Sequence, residues 1–447
     1  MATLYLGVFM AALDTAVIAP ALPALRASFG VDHRQAALLM VVFILASLAS
    51  TAVLAHLGDR HGRRPVLLGG VACFAAGSLL VALAPGFDTV LAGRAVQGLG
   101  AGGILPTASA LVGDVLAPRE RGRALGLLGA LHGMAFVLGP PLATLLMLAA
   151  SWHWIFLVNL PLAALVLALG LRSLPRRAAA AAPAPLDATG LGLTLALLSC
   201  LVLGITRIAD DLVGLRLWPA LLAAAAVCAA LLWRVERRHA APLLPLALLQ
   251  RRQLALCYLL AVASGVAMGS IVFLGALAQQ AHGTAPRHAG IALLPLVLCS
   301  MVGSIAAGRL LERLGARTLL IAGFALLALG HAATASPVPA LWLFLLATTP
   351  MGFGLGLVVG GALRTIAIDD APPAQRGAAQ GLINLCTSVG TLLATAAIGA
   401  VADFSGGGAH GFAVAYLGVA LLMLLALPAA LALRRDTHAP LTARPAA

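Results

Sequence analysis

The stretch AHLGDRHGRRPVLLGG, residues 55–70, places six ionisable side chains (His56, Asp59, Arg60, His61, Arg63 and Arg64) between two long apolar runs. The surrounding chain of 447 residues is 62% hydrophobic and only 10% charged, with a mean hydropathy of +1.04. Ordinary globular chains are near half apolar, so lipid is the solvent for most of this one. A charged turn between two apolar runs then joins two membrane crossings. Gly62 permits a tight bend there, and Pro65 opens the next helix because the N–H it lacks needs no partner in a first turn.

Working outward at about 20 apolar residues per crossing, the chain divides into about fourteen helices. Their limits are 3–25, 36–57, 66–84, 89–115, 123–148, 153–171, 189–207, 216–233, 254–278, 288–311, 317–335, 339–366, 377–401 and 412–433. Met1-Ala2-Thr3 carries no basic leader, so the first run reads as a retained span rather than a signal peptide. The net charge of +13 would point to nucleic acid in a soluble protein. Here the cations, all arginine, concentrate in short loops, where they meet lipid headgroups, and no nucleic-acid partner is expected.

If the Arg63 loop is cytoplasmic, so are Arg119, Arg121, Arg123, Arg172, Arg176, Arg177, Arg234, Arg237, Arg238, Arg251, Arg252, Arg313, Arg317, Arg376, Arg434 and Arg435. Arg26, Arg34, Arg207, Arg216 and Arg287 fall on the other side. The bias puts both termini in the cytoplasm of a multi-pass protein of the plasma or cell inner membrane, with an even number of spans. Cys73, Cys200, Cys228, Cys257, Cys299 and Cys386 lie singly in apolar runs, without the close pairs of a metal or dithiol site.

The opening stretch has a faint second copy. Aligning LAHLGDRHGRR with IAAGRLLERLGAR pairs Leu57 with Leu310, Asp59 with Glu312, Arg60 with Arg313 and Gly62 with Gly315, 253 positions on. GDVLAPRERGRALG and IDDAPPAQRGAAQG repeat the match at almost the same offset, pairing Asp114 with Asp369, Pro118 with Pro373, Arg121 with Arg376, Gly122 with Gly377 and Gly126 with Gly381. Two ordered matches indicate a duplicated half. The expected organisation is a six-helix bundle over 1–175, a linker and inserted helix pair over 176–250, a second six-helix bundle over 251–435 and a cytoplasmic tail over 436–447. The Ala/Pro-rich RRAAAAAPAPLDATG, 176–190, opens the linker.

Asp14 stands about ten residues into the first span, roughly 15 Å deep at 1.5 Å per residue and so near the bilayer centre. An acid there is a functional candidate by default, because alternation between dry surroundings and a nearby cation captures and releases a proton. Arg94, about five residues into the fourth span, is its natural partner in depth. The other reading of Asp14 is a structural hydrogen bond between helices. Arg94 has no second copy, since its repeat position is Thr349. His132, midway along the fifth span, titrates near neutral pH when unperturbed and is a possible relay or a packing residue. Gln97 and Asn384 read as interhelical hydrogen-bonding residues.

Four ordered segments, LDTAVIAPALP (13–23), LGDRHGRRPVL (57–67), LAGRAVQGLGAGG (91–103) and GLLGALHGMAFVLGPPLATLL (126–146) followed by WHWIFLVNLP, resemble the major facilitator superfamily, in its fourteen-helix drug:proton antiporter branch. The resemblance implies an all-α integral membrane fold of two six-helix bundles plus an inserted helix pair, rocking about a central site. It implies proton-coupled export of hydrophobic or amphipathic small molecules, with Asp14 and Arg94 coupling the proton. Asp59, Arg60, Gly62, Arg63 and Arg64 would form a cytoplasmic gate, in which Asp59 faces the helix beginning near Gly377, with Glu312, Arg313 and Gly315 as its second copy. Gly129, Gly133, Gly139 and Pro140 would form the helix motif that marks exporters.

Around Asp14 the sequence departs from the family, which has Thr two residues after the acid and Asn three further on; here these are Ala16 and Ala19. Pro141 and Ala143 likewise replace Leu and Gly. Export of a single endogenous metabolite or natural product, or import, are the alternatives. No HExxH zinc helix, Walker loop or GxSxG elbow is present, so neither an enzyme nor an ATP-driven pump is expected. No cofactor or metal is expected; the partners are a small-molecule substrate, protons and the lipid bilayer, and the chain is read as a monomer. Replacing Asp59 with Asn should leave insertion intact and reduce transport, as measured by expression level and efflux rate together; unchanged efflux at normal expression would remove Asp59 from the gate.

Overall fold

The computed structural model describes residues 1–115, 118–174, 187–207, 217–238, 246–283, 293–336, 341–372 and 376–434. These form helices α1 (Ala2–Phe29), α2 (His33–His61), α3 (Arg63–Ala82), α4 (Phe87–Ala101), α5 (Ile104–Val115), α6 (Pro118–Ala149), α7 (His153–Leu157), α8 (Asn159–Ser173), α9 (Ala188–Arg207) and α10 (Leu217–Glu236). They continue with α11 (Leu246–Leu249), α12 (Arg252–Ile271), α13 (Leu274–His282), α14 (Leu294–Ala335), α15 (Leu341–Leu357), α16 (Leu363–Asp370), α17 (Arg376–Phe404) and α18 (Gly408–Leu431). Among the described residues, twelve helical stretches are long and apolar enough to cross a bilayer. The bent pair Ala2–Ile18 and Pro20–Phe29, meeting at 61°, makes a thirteenth. α6 runs for 32 residues and spans the remaining expected crossing, 123–148. The all-helical fold of about fourteen spans therefore agrees with the hydropathy of the sequence.

Side chains explain where these helices break. Pro20 and Pro23 lie inside α1; a proline in a helix interior lacks the N–H its turn needs and crowds the preceding turn, which accounts for the bend of the first span. The fourth expected span is split between α4 and α5, and the twelfth is split by a π-helical turn, Val358–Ala362, between α15 and α16. At the start of α2 the Asp32 carboxylate accepts from the Gln35 backbone N–H, while the Gln35 side chain accepts from the Asp32 N–H, a reciprocal cap.

The chain forms two compact units. One comprises residues 1–244, 271–294 and 395–412, the other 245–270, 295–394 and 413–447. Within the first, α1 lies along α6, α4 lies against both α2 and α3, and the pair α9 and α10 pack on one another, with α9 also touching α2. Within the second, Cys257 Sγ bonds the Leu363 carbonyl and Thr391 Oγ1 donates to the Gly265 carbonyl, tying α12 to α16 and α17.

The charged turn and its second copy share one backbone device. Gly62, between α2 and α3, has φ 92° and ψ 145°; Gly315, inside the kinked α14, has φ 76° and ψ 159°. Only glycine adopts such angles without strain. Two residues beyond each glycine an arginine reaches a helix end: Arg64 Nη2 donates to the Leu171 carbonyl at 2.5 Å and Arg317 Nη2 to the Leu431 carbonyl at 2.6 Å. Both acceptors lie in the last turn of their helix, α8 and α18, where carbonyls lack intrahelical partners and the dipole favours a cation. Arg63 Nη1 adds a bond to the Ala110 carbonyl at 2.7 Å. Gly62→Ala and Gly315→Ala should each cost about 1–3 kcal/mol from the enforced positive φ, lowering the melting temperature in detergent by several degrees. Gly69→Ala, at an open helical position where an added methyl meets nothing within 4 Å, should not.

Candidate functional site

Five helices of the first unit converge on one buried ion pair and the hydrogen bonds around it. Asp14 on α1 and Arg94 on α4 are both 0% exposed, and Arg94 Nη1 meets Asp14 Oδ2 at 2.7 Å. Arg94 and Gln97 stand three residues apart, on one face of α4. The Gln97 amide nitrogen donates to Asp14 Oδ1 at 3.0 Å and to Ser78 Oγ on α3 at 2.7 Å. From α8 the Asn159 amide nitrogen donates to Asp14 Oδ1 at 2.8 Å and to Ser78 Oγ at 3.2 Å.

Arg94 is fixed on its other sides as well. Its Nη1 also donates to Gln97 Oε1 at 2.8 Å and its Nε to the Leu39 carbonyl on α2 at 3.2 Å. The guanidinium carbon lies 4.1 Å from the centre of the Phe43 ring, within cation–π range. Small residues make the convergence possible. A methyl on Gly77 would overlap the Gln97 backbone nitrogen, and one on Gly93 would lie 2.7 Å from a Val81 methyl, so α3 and α4 touch backbone to backbone where Ser78 and Gln97 meet.

The arrangement has a defined hydrogen count. Three N–H donors face Asp14 and no acceptor does, the complement an ionised carboxylate uses in full. Two buried atoms of the network have no hydrogen-bond partner: Arg94 Nη2 and Asn159 Oδ1. Unsatisfied buried groups of this kind are costly and are rare in a merely structural network.

The structure thus brings together Asp14, Arg94 and Gln97, which the sequence singled out, and adds Ser78 and Asn159, which it did not. The only signal for Asn159 was an amide inside an apolar span. Thr349, the repeat position of Arg94, bonds the Leu346 carbonyl of its own helix. Gly129, Gly133, Gly139 and Pro140 all lie on α6. A methyl on Gly139 would come within 2.5 Å of the Ala16 side chain, so Gly139 is where α6 meets α1. The side chains of Asp59, Glu312, His132 and Pro140 lie outside the described residues, whereas Arg60 and Arg313 are exposed. Among the described residues no cluster of His, Cys, Asp and Glu is arranged to hold a metal ion.

The sequence profile of the Major Facilitator Superfamily matches residues 4–296 and 254–447. The MFS-type transporter YfiU of Bacillus subtilis (strain 168), itself uncharacterised, is 32% identical over 399 residues, covering 87% of this chain and 76% of YfiU. The lincomycin resistance protein of Streptomyces lincolnensis is 31% identical over 441 residues, 95% of this chain and 89% of the relative. Other relatives bear multidrug resistance names, and the chain spans 48% of the length of two mycobacterial MFS-type transporters. Among solved structures, a mutant of the nucleoside transporter NupG superposes with a TM-score of 0.66 at 14% identity, covering 96% of this chain and 98% of that one.

Removing one member of a buried ion pair strands the other, at a cost of about 3–5 kcal/mol. Arg94→Gln should therefore destabilise the protein strongly, because it leaves the buried Asp14 carboxylate without its cation. The double variant Asp14→Asn/Arg94→Gln should recover most of the loss. Thermal unfolding followed by size-exclusion fluorescence measures this.

Proposed function

The chain belongs to the Major Facilitator Superfamily, and on that premise we propose that it is a proton-coupled antiporter exporting hydrophobic or amphipathic small molecules, such as drugs, across the plasma membrane. The observation that carries the reading is the Asp14 carboxylate, wholly buried and held by Arg94, Gln97 and Asn159.

Proton uptake converts one Asp14 oxygen from acceptor to donor. Asn159 answers that change: its amide oxygen has no partner, and rotation of the amide presents it to the new O–H while Ser78 Oγ supplies a hydroxyl hydrogen. Neutralising Asp14 leaves Arg94 as a buried cation without its anion, an expensive state. Loading the proton is therefore tied to conformations that offer Arg94 water or a polar group of the substrate, and its unpartnered Nη2 faces that role. Coupling follows because proton and substrate relieve the same guanidinium in different states.

The export direction rests on the resemblance of the α6 glycine pattern to the exporter motif and on relatives named for drug resistance. Cations in the loops favour cytoplasmic termini. In a chain this rich in apolar residues, a substrate path with few fixed polar groups would favour shape-tolerant binding.

The test uses everted vesicles from cells expressing the protein and a panel of cationic and neutral amphipathic dyes and antibiotics, with and without a protonophore. The expected result is accumulation driven by an imposed inward-acid pH gradient, abolished by protonophore and by Asp14→Asn at unchanged expression. Gradient-driven accumulation retained in Asp14→Asn would remove the coupling role; accumulation found only in right-side-out vesicles would reverse the direction.

A further inference from the structure

The second unit contains a buried polar cluster that the antiporter reading does not use. His331 on α14 is 0% exposed, and both of its ring nitrogens face oxygen. Nδ1 lies 2.7 Å from the Leu327 carbonyl and Nε2 lies 2.7 Å from Ser270 Oγ at the end of α12. Ser270 Oγ also lies 2.7 Å from the Ala267 carbonyl. Tyr416 on α18 donates its hydroxyl to the Ser270 carbonyl at 2.7 Å, and its ring centre stands 5.8 Å from that of His331.

The hydrogens can be counted. A carbonyl only accepts, so Nδ1 carries a hydrogen. Ser270 has one hydroxyl hydrogen and two acceptors within reach, His331 Nε2 and the Ala267 carbonyl. If the hydroxyl donates to Nε2, the imidazole is neutral. If it donates to Ala267, Nε2 must carry a hydrogen directed at Ser270 Oγ, and the ring is an imidazolium. Both states satisfy every nitrogen with the heavy atoms in place, and the Tyr416 ring lies within the distance at which an aromatic attracts a cation.

We propose that His331 and Ser270 form a second proton-binding site, in which a proton arriving at Nε2 is accommodated by rotation of the Ser270 hydroxyl from His331 to the Ala267 carbonyl. The site has a place in the repeat. His331 stands 253 positions after Ser78, the offset that pairs Gly62 with Gly315, and Ala267 stands at the same offset from Asp14. One half thus binds its proton on an acid beside a serine, and the other on a histidine at the serine's position.

Among the described residues, no other charge lies close to His331 on the helices that touch it. α15, whose Met351 lies against Gly330, carries no titratable side chain. On α12 the titratable residues are Arg252, Cys257 and Tyr258, at least twelve residues from Ser270 and so roughly 18 Å or more along the helix. On α14 the nearest described cation is Arg317, about 21 Å away by the same rise. α18 presents Tyr416 and, six residues earlier, the exposed His410.

The site rests on the antiporter reading for its use in a cycle, not for its protonation, and the test separates the two. Full-length protein with ¹⁵N-imidazole-labelled histidine, in lipid nanodiscs, is titrated from about pH 3.5 to 8, a range that reaches well below ordinary histidine ionisation. The difference from His331→Gln, or from His331→Asn should Gln not assemble, isolates the His331 signals. The expected result is a single conversion between a spectrum with one bare nitrogen and one with both protonated, its midpoint lowered by about half a pH unit or more in Ser270→Ala, which removes the acceptor for Nε2–H. A bare Nε2 throughout, or a midpoint indifferent to Ser270→Ala, overturns the proposal. If both Gln and Asn variants fail to assemble, the resonance shifted by Ser270→Ala in the wild-type background is the one followed. A titrating His331 alongside an Asp14→Asn variant that still couples transport would leave this site standing and remove only the role given to Asp14.

Discussion

The first unit is organised around the cost of taking an ion pair out of water. Burying a carboxylate and a guanidinium costs several kcal/mol per ion after relaxation, and their attraction offsets this only if the remaining donors and acceptors are also met. Asp14 and Arg94 meet most of that demand through groups from α2, α3 and α8: the Leu39 carbonyl, Ser78 and Asn159. The glycines that let α3 and α4 touch are a consequence, because Gln97 reaches Ser78 only where Gly77 has no side chain. The pair thereby fixes the mutual approach of α1, α2, α3, α4 and α8. The two atoms left over, Arg94 Nη2 and Asn159 Oδ1, are the ones on which the proposed coupling rests.

The repeat preserves backbone and discards chemistry. Gly62 and Gly315 share a conformation closed to other residues, and Arg64 and Arg317 cap the C-terminal carbonyls of α8 and α18 alike. Each half must end its second span, turn and satisfy the end of its sixth, so selection on helix termini acts equally on both. No such constraint acts on the buried polar positions: Asp14 faces Ala267 across the repeat, Arg94 faces Thr349, and Ser78 faces His331. A duplicated scaffold with unlike interiors is what a machine needs if its halves are to respond to different ligands or to one ligand at different pH.

Much of this was legible in the sequence, for physical reasons. Apolar run length gave the crossings because the bilayer fixes the length of a helix that spans it. The depth of Asp14 and of Arg94 followed from the helix rise, and depth sufficed to pair them because each is too costly to bury alone. The echo of Gly62 at Gly315 announced a turn that proved to have the same dihedrals. Ser78 and Asn159 were not legible, since a single small polar residue in an apolar span carries no periodicity and its partners are set by helix contacts at long range. The histidines show the same limit. Mid-span position drew attention to His132, while His331, nearer a helix end, drew none until its two nitrogens were seen against oxygen.

The departure around Asp14 has a reason in packing. In the resembling proteins the residues following the acid are polar, whereas here Ala16 takes the position two residues on. Ala16 is where α1 meets α6, with Gly139 opposite leaving no space for even one added methyl. A larger side chain at position 16 would face the same wall, so α1 cannot supply its own ligands and still lie this close to α6. The polar groups come instead from α4 and α8, as Arg94, Gln97 and Asn159. A carboxylate ligated by its own helix keeps its ligands when that helix moves. One ligated by several neighbours loses some whenever any of them shifts, which is the property the proposed coupling role of Asp14 requires.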